Sequence, residues 1–121
     1  MGNEISYSEK LKDPRWQKKR LEVMQRDNWC CCRCGDKSSP LNVHHANYNS
    51  EWEPWEYPDI WLITLCESCH EEETFYRKQV EGVVLMVLRE KLFVNELNQL
   101  IKLIEKTDRK EFLNYINKEG T

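Results

Sequence analysis

Two Cys-x-x-Cys pairs bracket a doubled histidine in this chain. They read Cys31-Cys32-Arg33-Cys34-Gly35, then Leu41-Asn42-Val43-His44-His45, then Leu62-Ile63-Thr64-Leu65-Cys66-Glu67-Ser68-Cys69-His70. Four thiolates at this spacing can close a tetrahedral shell around zinc. Bringing Cys31 and Cys34 against Cys66 and Cys69 folds the chain back on itself, with the histidines held near the metal. The zinc is then scaffold, and three imidazoles are left for chemistry.

The three consecutive cysteines leave the first pair open to a choice. Only Cys31 stands two residues before Cys34, and Gly35 can take the positive φ that the tight turn after the pair requires. Cys30 in place of Cys31 is the alternative ligand. Cys30 and Cys32 are otherwise expected to point away from the metal.

The totals suit one small domain, or a compact core with an extension: 121 residues, 40% hydrophobic and 32% charged. Mean hydropathy is -0.80, and no apolar run approaches the roughly 20 residues that span a bilayer. The first twenty residues lack the apolar centre of a secretory signal. The expectation is therefore a cytoplasmic protein whose thiols stay reduced and bind metal rather than pair as disulfides. The net charge of -3 is unevenly spread. Residues 46–75 hold eight acidic side chains and no Lys or Arg, whereas residues 1–45 hold nine basic against six acidic. A basic face remains available, with modest and salt-sensitive affinity for nucleic acid.

In chain order, residues 1–12 read as a flexible N-terminal arm. Asp13-Pro14 starts a helix that runs to about Asp27. Trp16, Val23 and Met24 share its apolar stripe, and Arg20 falls on that stripe too. Arg15, Lys18, Lys19 and Arg26 lie on the other side. The plain reading of those charges is a solvated face; the sharper one is a surface for phosphates. Leu41–Val43 is a strand candidate ending at the paired histidines. Two prolines and four acids make Ala46–Asp59 an ordered loop, in which Trp52 and Trp55 are expected to anchor rather than stack on substrate. Ile60–Leu65 is the second strand, antiparallel to the first. A helix is expected from His70 to about Lys91, then one capped by Asn95 and a last one capped by Thr107 or Asp108.

Neighbouring residues on a strand point to opposite sides, so His44 and His45 can do different jobs. Histidine is also the side chain whose ordinary pKa suits a base near neutral pH. A metal-assisted phosphodiesterase needs such a base together with a divalent ion.

The layout resembles the zinc-stapled branch of the HNH nucleases, the ββα-metal or His-Me finger group, over about residues 13–75. The resemblance lies in Arg26-Asp27-Asn28-Trp29, the Cys31/Cys34 pair with Gly35, Val43-His44-His45, and the run Leu62 to His70. It implies an α+β chain: a small ββα-metal zinc fold at 13–75, with a preceding helix and a C-terminal helical extension, 76–121, packed on it. It further implies His45 as general base, His44 and His70 as ligands of a catalytic divalent metal (Mg²⁺ or another divalent ion), and Cys31, Cys34, Cys66 and Cys69 on structural Zn²⁺. Trp61 stands where this branch commonly has an asparagine that braces the loop carrying the base; Asn47 and Asn49 are the residues that could replace it.

The implied activity is hydrolysis of phosphodiester bonds in DNA, double-stranded, with Arg15, Lys18, Lys19 and Arg33 on the phosphates. The apolar positions of the C-terminal helices leave a homodimer open. The plainer alternatives are a His45 bonded only to backbone, His44 and His70 supporting the zinc site, and a catalytically weak zinc module that binds nucleic acid or protein.

Overall fold

The computed structural model describes residues 5–119, and the chain is α+β: five helices and one two-stranded antiparallel sheet among the described residues. It divides into two compact units, meeting between Arg77 and Lys78. No helix is long and apolar enough to cross a membrane among the described residues.

The first unit begins with helix α1, Tyr7–Lys10, then α2, Pro14–Arg26. Asp13 caps α2 by accepting the Arg15 N–H at 2.8 Å, and Pro14 fills the first position, where no N–H is needed. Trp16, Val23 and Met24 form its buried stripe. The helix stops at Asp27 because Asn28 and Trp29 both take left-handed φ, 59° and 55°; the Trp29 N–H then reaches back to the Met24 carbonyl at 2.9 Å.

Strand β1, Leu41–His45, pairs with β2, Leu62–Cys66, so that Val43 faces Thr64 and His45 faces Leu62. One sheet face sends Val43 and Leu62 into a core with Trp16, Val23, Met24 and Tyr57, against which Trp52, Trp55 and Trp61 pack. Each fully buried aliphatic side chain there stabilises the fold by about 1.5–3 kcal/mol. A second cluster gathers Leu65 with Cys31, Cys66 and Cys69. Helix α3, Glu67–Lys91, follows β2 directly.

Residues 78–121 make the second unit: the rest of α3, with α4, Val94–Lys106, and α5, Arg109–Glu119. No residue of this unit whose side chain is described is buried.

Several boundaries differ from the sequence expectation. The arm expected over residues 1–12 carries α1, capped by Ser6, and Leu11 packs on the core; Met1 to Glu4 lie outside the described residues. The anchors are tertiary: Lys10 pairs with Glu53 at 2.9 Å, and the Gln17 amide donates to the Leu11 carbonyl at 2.7 Å. The second strand starts at Leu62 because Asp59–Trp61 forms a 3-10 turn after Pro58. Helix α3 starts at Glu67, its N–H accepted by the Pro40 carbonyl, so Cys69 sits within the first turn. Asn95 does not cap α4; the Glu96 carboxylate accepts the Phe93 N–H at 2.9 Å instead. Asp108 does cap α5, accepting from Lys110 and Glu111.

Candidate metal centre and histidine cleft

The turn after Trp29 and the first turn of α3 bring four sulfurs together. The Sγ atoms of Cys31, Cys34, Cys66 and Cys69 all lie within 4.8 Å of one another, and those of Cys34 and Cys66 are 3.7 Å apart. A tetrahedron with Zn–S bonds of about 2.3 Å has edges of about 3.8 Å. The cluster could therefore hold a metal ion such as zinc. Gly35 takes φ +81° and donates its N–H to the Cys31 carbonyl at 2.8 Å, which closes the first knuckle.

The electrostatics explain why these thiols suit a cation. Burial alone would raise the Cys31 thiol, but backbone N–H groups, including those of Cys34 and Arg33 at 3.5 and 3.4 Å, bring it down to about 6. Cys69 is pushed up to about 12 by burial and by the sulfurs of Cys66, Cys31 and Cys34. The Cys31 thiolate forms readily, and Cys34 and Cys69 then resist ionising. A divalent cation among them removes that conflict.

The two remaining cysteines stand outside the cluster. Cys30 donates its thiol to the Asp27 carbonyl at 3.2 Å. Cys32 donates its backbone N–H to the Thr64 carbonyl, and burial and the Asp27 charge push its thiol up to about 11.

The doubled histidine divides its two rings between the sheet faces. His44 and His45 are both buried, 6% and 5% exposed. On one face, the His44 ring meets the His70 ring edge-on at 5.3 Å between centroids. Both His44 ring nitrogens are buried without a hydrogen-bond partner. A buried imidazole with two idle nitrogens is costly unless something accepts its lone pair. A divalent ion shared with His70 would do so. Burial, then the His70 charge, lower the His44 pKa, and the Glu73 carboxylate opposes them. Glu73, one turn beyond His70 and paired with Arg77 at 2.8 Å, is an acidic neighbour of this site that was not among the site residues expected from the sequence.

On the other face, His45 stacks on Trp16 at 5.0 Å and meets Tyr57 edge-on at 4.6 Å. Its Nε2–H donates a long hydrogen bond, 3.4 Å, to the Pro54 carbonyl. Because a carbonyl only accepts, that contact favours the Nε2–H tautomer, in which Nδ1 keeps its lone pair. Burial holds the His45 pKa below the ordinary imidazole value, against the Pro54 carbonyl, which raises it. His45 and His70 line one cleft of about 260 Å³, together with Tyr48, Asn42 and Arg20. Arg20 is the cation at this cleft; lying on the apolar stripe of α2, it had no assigned role in the sequence.

The loop that holds Pro54 is braced in two places. Asn49 accepts the Glu51 N–H on its side chain, and its backbone exchanges two hydrogen bonds with the Tyr57 hydroxyl, at 3.0 and 3.1 Å. Trp61 accepts the Ala46 N–H on its carbonyl at 2.8 Å, next to His45, and packs its ring on Trp52. Trp52 is thus an anchor. Trp55 carries the Arg15 guanidinium at 4.1 Å from its ring centre.

Three of the four basic residues expected on phosphates are paired within the chain. Arg15 pairs with Asp13, Lys19 with Asp59 and Arg33 with Glu72. Lys18 makes no ion pair among the described residues. Arg26 is structural: it chelates Asp27 and donates to the carbonyls of Asp59 and Leu62 at 2.8 and 2.6 Å. Compared with protein-family models, with curated proteins and with solved structures, the chain matches none.

Proposed function

We propose that the chain is a metal-dependent endonuclease of HNH type, hydrolysing phosphodiester bonds of DNA with His45 as general base. The observation that carries this is the shared cleft: His45, its Nε2–H tautomer favoured by the Pro54 carbonyl, opens onto the same space as His70, while His70 meets a His44 whose nitrogens are idle.

His45 Nδ1 takes a proton from a water in the cleft as that water attacks phosphorus. Its lowered pKa keeps the ring neutral at pH 7, so the base is ready. Trp16, Tyr57 and the Pro54 carbonyl fix the ring, so little orientational freedom is lost at the moment of reaction. Arg20 binds a phosphate oxygen at the cleft. His44 and His70 would hold a divalent ion, which would supply positive charge to the scissile phosphate and its leaving oxygen. The four cysteines would hold structural zinc, fastening the turn before β1 to the end of β2.

A second reading keeps the zinc fold but makes it a weakly catalytic module for nucleic-acid or protein binding. It is favoured by the pairing of Arg15, Lys19 and Arg33 with the chain's own carboxylates, which lowers the positive field available to phosphates. Nicking of supercoiled plasmid with Mg²⁺, Mn²⁺ or Ni²⁺ separates the two. Cleavage lost in His45→Ala at unchanged zinc content supports the enzyme; binding without cleavage under every metal supports the module.

A further inference from the structure

Residues 78–119 form three helices and bury none of the side chains described for them. A helical unit of this size gains little stability in water from its own contacts. Isolated helices of this length are marginal, and a chain this short builds only a small core. The composition is not that of a solvated helix either. Gly82 to Leu88 reads Gly-Val-Val-Leu-Met-Val-Leu, two turns apolar on every side. A helix apolar all round is one that ends up buried. Valine is a weak helix former, so Val80, Val83, Val84 and Val87 are not there to hold the helix straight. They are 58%, 58%, 48% and 46% exposed. On α4, Ile101 and Ile104 continue the pattern on an amphipathic helix, at 53% and 42%.

We infer that this unit is a self-association module, and that a second copy of this chain covers the apolar faces of α3 and α4 in a homodimer. Two observations favour a second copy over a different partner. Thirteen large apolar side chains between Val80 and Ile116 are exposed; at about half exposure they offer on the order of 1,000 Å² of surface, where a stable interface takes about 800 Å² from each partner. The charges are also balanced, with eight basic and seven acidic side chains from Lys78 onward. A unit biased to either sign would repel its own copy, whereas this one brings no such penalty to a twofold contact.

The test is sedimentation equilibrium of the full, zinc-loaded chain across about 1–200 µM. The expected mass is twice the 14.7 kDa of one chain. Val84→Glu with Val87→Glu should return it to one chain mass with zinc content unchanged. Because glutamate there also threatens the helix, Val83→Ala with Val84→Ala is the companion variant. Alanine is the better helix former but removes apolar contact, so helicity should hold or rise while dimer affinity falls by about tenfold or more. A single-chain mass throughout overturns the inference and leaves the face to a different protein. A dimer indifferent to all four substitutions overturns it as well, because the contact would then lie elsewhere.

Discussion

The His44 imidazole meets that of His70 edge-on, ring centres 5.3 Å apart, and neither His44 nitrogen has a hydrogen-bond partner among the described residues. If the pair holds a divalent ion, His44→Ala should leave the four-cysteine zinc in place and weaken Mn²⁺ or Ni²⁺ binding at the second site by at least tenfold. Titration calorimetry on zinc-loaded protein, with metal content measured alongside, reads both. Unchanged binding in His44→Ala would remove His44 from the ligand set.

If His45 is the general base of the proposed nuclease, it sets the pH dependence of cleavage. Burial holds its pKa below the usual imidazole value of about 6.5. A base works when unprotonated, so the rate should be flat above that value and fall only at more acid pH. His45→Ala should cost about 10²–10⁴-fold in rate, the usual range for a general base. A wild-type acid limb centred well above pH 7 would not fit a histidine in this setting.

Zinc removal should unfold the first unit. The sulfurs of Cys31, Cys34, Cys66 and Cys69 are its junction between the turn before β1 and the start of α3. Structural zinc contributes roughly 10–16 kcal/mol to small domains of this kind. A mercurial, or Cys66→Ser, should collapse the tryptophan signal of the core around Trp16. Cys30→Ala and Cys32→Ala should each retain stoichiometric zinc, which a metal-release assay would show.

Asp27 should govern acid stability. Burial by itself raises this carboxyl, but the Arg26 guanidinium and the Thr64 N–H, at 2.9 and 3.1 Å, outweigh it and hold it below the ordinary value. Because the folded pKa is the lower one, the stabilisation is full above about pH 4 and is lost as pH falls through the folded value. Asp27→Ala should cost about 1–3 kcal/mol at pH 7 in urea unfolding and flatten the acid limb of stability. An unchanged acid limb would mean that Asp27 is not its source.

The spacing of the cysteines and the alternation across Val43 to His45 carried most of what could be read without coordinates. Both are local rules: a knuckle needs two intervening residues and a tight turn, and a strand alternates its faces. Arg26 shows where such rules stop. A cation at a helix end looks the same on paper whether it is solvated or bonded to the carbonyls of Asp59 and Leu62. Lys19 and Arg33 read as open charges for the same reason, since their carboxylate partners come from distant stretches. Glu73 was hidden in a run of three glutamates, of which only its charge acts on His44. In the second unit, amphipathic spacing did announce helices. It could not announce what covers their apolar side chains, because a stripe is written the same way whether its cover lies in the chain or outside it.

The pairing of His45 with Leu62 and of Val43 with Thr64 has a consequence for how such a chain can change over time. Slipping β1 by a single position would hand the Trp16 contact to His44 and turn His45 toward α3, exchanging the surroundings of the two imidazoles in one move. Insertions between Ala46 and Tyr57 can be absorbed, so long as a carbonyl still reaches His45, but the count of residues inside the strand cannot drift. Relatives that keep the chemistry should therefore vary freely in the length of that excursion and never in the step between the two imidazoles.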